Sequence, residues 1–143
     1  MVSEGRFPPF HLAFPVDDLA AAERFYVDQL GCAIGRRSDR WIDFNFFGHQ
    51  ITAHHSPDEV RAAKTNKVDG QNVPVRHFGA ILSPDAWRAL ADRLQASEID
   101  FLIEPQTRFS GEPGEQGTFF VQDPAGNGLE FKCFADMAQV FEY

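Results

Sequence analysis

The chain has no cluster of positive charge. Its 13 lysines and arginines are scattered among 21 acidic residues, for a net charge of -8 over 143 residues. That field repels phosphate backbones and anionic lipid, so nucleic acid and membrane surfaces are poor partners. Long apolar runs are missing too. None approaches the roughly 20 residues needed to span a bilayer, and Met1 to Pro9 carries no apolar run behind basic residues. A cytoplasmic location is the expectation. Cysteine is scarce: Cys32 and Cys133 both sit in apolar, strand-like segments and no CxxC pair exists. Two buried, reduced thiols are expected rather than zinc or dithiol redox chemistry. The glycine-rich stretch GEPGEQG (111–117) lacks the GK[ST] ending of a phosphate loop and brings two glutamates. A hairpin tip, which could serve as a lid, is expected there instead.

What is present is apolar and aromatic. Fifteen Phe and a 43% hydrophobic fraction suit one ordered domain over residues 1–143. Phe10 to Val16 reads as a strand, with Asp17 as the cap of a helix running to about Leu30. Leu19, Ala22, Phe25, Tyr26 and Leu30 form its apolar stripe and Gly31 ends it. Strands at Cys32 to Arg36, Trp41 to Phe47 and Gln50 to His55 follow, divided by polar turns. Ser56 to Pro74 has no apolar periodicity and reads as a connecting loop with one short helical turn at Pro57 to Ala63. The order then repeats. Val75 to Leu82 is a strand, and Ser83-Pro84-Asp85 opens a helix with Trp87, Leu90, Ala91 and Leu94 on its buried side. Strands at Asp100 to Arg108, Thr118 to Gln122 and Gly128 to Phe134 complete the half.

The fold class is therefore α+β, with two tandem βαβββ modules: module one at about 7–56, a linker at about 57–74, module two at about 75–135 and a short tail at 136–143. Both His11 and His77 stand on the first strand of a module, six residues before a capping residue and twenty before a helix stop. Toward the module ends, GHQITA (48–53) aligns with GNGLEF (126–131), which sets Thr52 opposite Glu130. Two repeats are too few for a solenoid and fit a pseudo-symmetric pair of sheets. Exchange of modules between two chains is equally legitimate, and a homodimer is expected.

Imidazole and carboxylate with open positions suit a divalent metal. His11, His77 and Glu130 have the right chemistry, and a pseudo-twofold axis between the modules could bring them together. The same residues could instead be ordinary strand histidines and a solvated edge glutamate. Their repeat-equivalent placement favours the metal site.

The segments FHLAFPVDDLAAAERFYVDQLGC (10–32) and VQDPAGNGLEFKCF (121–134) resemble the first module and closing strand of the vicinal oxygen chelate superfamily, and the likeness covers nearly the whole chain. That superfamily spans glyoxalase I, extradiol dioxygenases, fosfomycin-modifying enzymes and metal-free bleomycin-binding proteins. The resemblance implies a cup-shaped mixed β-sheet around a metal or ligand site, with His11, His77 and Glu130 as ligands. The fourth position, often glutamate in glyoxalase I, falls on Thr52, a poor ligand; a register two residues different would put His54 there.

A metal-dependent enzyme on a small oxygen-rich or aromatic substrate is the resulting expectation, with extradiol-dioxygenase-like chemistry and Fe2+ favoured. A glyoxalase-like lyase or isomerase using Zn2+, Ni2+ or Mn2+ is the alternative, and a metal-free small-molecule binding protein is the rival from another class. His54 is the candidate general base. Trp41 and Asp43, on the mixed face of their strand, Arg108 for a substrate carboxylate or phenolate, and Phe119 as an apolar wall are the candidate substrate contacts. For His54, Trp41 and Asp43 the plainer reading is a solvated strand face.

Overall fold

Each half of the chain builds a four-stranded sheet with the same strand order. In this computed structural model residues 7–60, 64–68 and 71–141 are described. The chain divides into two compact units, Met1–Val60 and Arg61–Tyr143.

The first unit contains β1 (His11–Val16), α1 (Leu19–Glu23), β2 (Ala33–Arg37), β3 (Trp41–Phe46) and β4 (His49–His55). Its sheet has the order β1-β4-β3-β2, with β1 parallel to β4 and the other pairs antiparallel. The alternation in β3 places Ile42, Phe44 and Phe46 in the core, with Trp41, Asp43 and Asn45 on the other face. The helix is capped by Asp18, whose carboxylate accepts from the Ala21 amide at 3.0 Å, and not by Asp17. It widens after Glu23 into a π-helical stretch, Arg24–Gln29, with Leu30 N–H bonded to Phe25 O. That wider turn seats Tyr26, fully buried, between Phe14, Phe25 and Phe44. Gly31, at φ 83°, ends the helix as anticipated.

The expected connecting loop is in part structured. A short 3-10 turn at Pro57–Glu59 is followed by a hairpin of β5 (Lys64–Val68) and β6 (Gln71–Val75). Residues 61–63, the end of the anticipated helical turn, lie outside the described residues. Polar strands of this kind have no apolar alternation to betray them.

The second unit continues with β7 (His77–Ile81), α2 (Pro84–Ala96), β8 (Ile103–Arg108), β9 (Gln116–Gln122) and β10 (Gly128–Phe134). Its sheet has the order β7-β10-β9-β8, with β7 parallel to β10. Ser83 caps α2 by accepting from the Ala86 amide. Trp87, Leu90, Ala91 and Leu94 are buried, and the Trp87 indole donates to the Phe131 carbonyl of β10 at 2.9 Å. Both cysteines are buried and free, as their settings suggested. Among the described residues no helix is long and apolar enough to cross a membrane.

The two sheets share one register. His11 pairs with Gln50 and Ala13 with Thr52; His77 pairs with Gly128 and Gly79 with Glu130. Thr52 and Glu130 are thus equivalent, as the repeat alignment required. The second unit is tighter at that point, because a Cβ on Gly79 would lie 1.5 Å from the Glu130 carbonyl oxygen. Gly79→Ala is therefore expected to force the β7–β10 ladder apart at a cost of about 2–3 kcal/mol, read as a lowered urea midpoint. An unchanged midpoint would show that the ladder yields easily.

Candidate metal and substrate site

Strand parity carries the chemistry of the second unit onto the sheet face opposite α2. Glu130 lies in a strand otherwise almost wholly buried and is itself only 9% exposed. A carboxylate there is costly unless its oxygens are paired. Oε2 accepts from the Thr118 hydroxyl at 2.6 Å, and Oε1 faces His77 Nε2 at 3.3 Å and Lys132 Nζ at 3.9 Å.

The other nitrogen of His77 decides what Nε2 presents. Nδ1 lies 2.6 Å from the Pro74 carbonyl oxygen, which can only accept, so Nδ1 carries a proton. With a neutral ring, Nε2 then directs a lone pair at a carboxylate oxygen. Two lone pairs so placed repel, and the arrangement is favourable with a cation or a proton between them. Donors each about 2.1 Å from one ion at 90–109° are roughly 3.0–3.4 Å apart, a range that contains the observed 3.3 Å. Backbone orientation of a ligating histidine through its second nitrogen is also the usual support for a metal-bound imidazole. The pair fits a divalent ion.

Close packing locks the pair. The Phe120 ring meets His77 edge-on at 4.9 Å, and a side chain on Gly128 would strike Pro74 at 2.9 Å and His77 Cβ at 3.3 Å. Phe120, Thr118, Gly128 and Lys132 were not singled out from sequence. A local signal was available for Lys132 alone, two residues beyond Glu130 on the same strand face; Phe120 and Thr118 are identified by the ladder, opposite Glu130 and Lys132.

The first unit is wired differently. Thr52 is buried and its hydroxyl donates to Asp43 Oδ1 at 2.6 Å, while Gln50 reaches Oδ2 at 3.4 Å. The acid on this face comes from β3 rather than β4. An open cleft of ≈ 310 Å3 is lined here by Gly35, Arg36, Asp43, Asn45 and Gln50, among others. His54 is exposed, two residues after Thr52 on the same face and opposite Trp41. His49, given no role, accepts from the Phe10 amide through Nδ1 at 2.7 Å.

His77 and Glu130 are brought together; His11 opens β1 of the other unit. Among the described residues no group of three or more His, Cys, Asp or Glu side chains is assembled. Arg108 ends β8 and lies over the Phe109 ring. Phe119 cannot wall a substrate site, because it is fully buried against Trp87, Phe101 and Phe131 on the helix side of the sheet. One residue of strand parity separates it from Phe120. The Cys133 thiol is held above its ordinary pKa by burial, opposed by a Gly117 hydrogen bond and the Arg88 charge; it is not a thiolate nucleophile. In the glycine-rich tip, the Gly111 amide is taken by Glu115 and the Gly114 amide by Gln139, which leaves those two amides no phosphate to bind.

A family model for the Glyoxalase/Bleomycin resistance protein/Dioxygenase superfamily matches residues 9–131, and the chain belongs to that superfamily. A glyoxalase/bleomycin resistance protein/dioxygenase from Alicyclobacillus acidocaldarius is 33% identical, with 94% of this chain and 96% of that chain covered and a TM-score of 0.78. Two further solved structures share the fold alone. The genomically encoded fosfomycin resistance protein from Listeria monocytogenes has a TM-score of 0.69 at 13% identity, covering 97% of this chain and 98% of that one. Lactoylglutathione lyase from Agrobacterium tumefaciens has 0.64 at 19%, covering 98% and 100%. Among curated proteins, none matches the chain significantly. The superfamily holds both enzymes and binding proteins, so membership leaves the activity to the site.

The Thr118 hydroxyl is the donor that a buried carboxylate oxygen depends on. Thr118→Val, nearly isosteric, should destabilise the fold by about 1–3 kcal/mol, read as a lower urea midpoint at constant slope. No change would mean that the carboxylate finds another donor.

Proposed function

We propose that this protein is a divalent-metal-dependent enzyme acting on a small oxygen-rich or aromatic substrate, with His77, Glu130 and His11 as the ligands. The observation that carries the reading is the facing of His77 Nε2 and Glu130 Oε1 at 3.3 Å, with the far side of each group already committed to Pro74 and Thr118. His11 enters as the third ligand because it holds in β1 the register position that His77 holds in β7. A homodimer is the proposed assembly.

An open three-donor set supports extradiol-dioxygenase-like chemistry with Fe2+ as the first choice. The specific support is Thr52: its hydroxyl is spent on Asp43, so the equivalent of a fourth acidic ligand is absent from β4. A glyoxalase-like isomerisation or lysis with Zn2+, Ni2+ or Mn2+ is second. An ion held by these residues would polarise two neighbouring substrate oxygens and stabilise the anion formed on them. The chain's own residues do the rest. Pro74 keeps the His77 proton on Nδ1, Thr118 turns Glu130 toward the imidazole, and Phe120 excludes water from one side of the ring. His54 is the proposed general base, with Trp41, Asp43 and Arg108 as proposed substrate contacts. If a proton stands between His77 and Glu130 instead, the same geometry serves a metal-free binding protein.

Protein purified without chelator and reloaded anaerobically should bind about one divalent ion per chain, and Glu130→Gln or His11→Ala should weaken binding by at least roughly tenfold, the size of effect even supporting residues have. Absence of stoichiometric metal in the wild type, with no gain on reconstitution, would favour the binding protein. Oxygen uptake with catechols on iron loading is the expected activity. Turnover of hemithioacetals with zinc or nickel, and none of catechols with iron, would move the assignment to the isomerase.

A further inference from the structure

We infer that Lys132 is the anion-recognition residue of this site, so that the substrate carries a negatively charged oxygen group; the inference rests on the metal-dependent reading above. Lys132 follows Glu130 by two positions on β10 and shares its face of the sheet, opposite Thr118. Its ammonium stands 3.9 Å from Glu130 Oε1, the same oxygen that faces His77. At that distance the contact is an ion pair and not a hydrogen bond. Among the described residues the Lys132 ammonium makes no hydrogen bond, its backbone carbonyl alone accepting from the Leu82 amide outside the ladder, so the three donors of the ammonium remain available. The side chain is 33% exposed, which screens its charge less than full hydration would while leaving it open to a ligand.

Charge balance gives the ammonium its role. Alone, Lys132 neutralises the one negative charge of Glu130. A divalent ion drawn to the same carboxylate repels the ammonium, and the group of His77, Glu130, Lys132 and ion then carries two net positive charges. A protein of net charge -8 otherwise discourages anions from approaching. A cation fixed beside the ligand carboxylate creates a local exception, suited to a carboxylate, a phosphonate or an ionised phenol whose neighbouring oxygen reaches the ion. The equivalent register position in the first unit is His54, so this lysine is a feature of the second unit and not of the repeat.

The test uses Co2+ and oxalate as probes, followed by the visible absorption of the cobalt protein. Removing a competing charge in Lys132→Met should leave Co2+ affinity equal to wild type or a few-fold tighter, while oxalate binding to the cobalt-loaded protein falls by about tenfold, the scale of one close charge pair. Lys132→Arg should keep oxalate binding within about threefold. Lys132→Gln replaces the methionine variant if that variant melts below the assay temperature. Oxalate affinity unchanged in the neutral variant overturns the inference and leaves Lys132 as a counter-ion to Glu130 alone. Failure of wild-type protein to bind Co2+ at all is the distinct result that overturns the metal-dependent reading, and this inference with it.

Discussion

A carboxylate inside a buried strand governs the second unit. Glu130 is 9% exposed and has apolar neighbours on both sides along β10. Such a charge costs several kcal/mol to desolvate unless its surroundings answer it. The surroundings follow from that need. Thr118 is set opposite Lys132 to give Oε2 a hydroxyl donor, Pro74 orients His77 so that Nε2 meets Oε1, and Gly79 and Gly128 carry no side chains because β7 must lie this close. Trp87 holds the next carbonyl from the helix side. A group retained at this cost in a fold whose stability needs only apolar faces points to chemistry.

The first unit shows the same scaffold released from that demand. At the position of Glu130 it has Thr52, at that of Gly79 it has Ala13, and at that of Lys132 it has His54. The acid moves one strand across to Asp43, where Thr52 and Gln50 satisfy it. The duplication thus preserves the histidine of the first strand in both halves while the carboxylate is free to migrate. This asymmetry separates Glu130, which faces His77, from Asp43, which is answered by Thr52 and Gln50.

Much of the frame was legible because its signals are local and repeated. The apolar stripes, the Ser83 cap, the Gly31 stop and the alternation of β3 each depend on residues a few positions apart. The spacing of His11 and His77 from their helices then aligned the starts of the halves, and the match of GHQITA to GNGLEF aligned their ends, so that Thr52 and Glu130 corresponded. What failed was parity or polarity. Phe119 and Phe120 are indistinguishable in an apolar run, and only the ladder with Glu130 tells which one turns toward His77. The β5–β6 hairpin escaped because polar strands carry no period. The helix cap at Asp18 rather than Asp17 is a choice between two adjacent acids that sequence pattern does not resolve.

The sequence by itself determined the element order within the two modules, the equivalence of the modules and the residue types able to hold an ion, because all three are written in spacing along the chain. Tertiary structure alone decided how those residues are used. Whether a hydroxyl supports Glu130 or Asp43, and which ring nitrogen of His77 faces Glu130, are matters of cross-strand register and of distances near 3 Å. They arise between residues on different strands, where the periodicity along one strand does not reach.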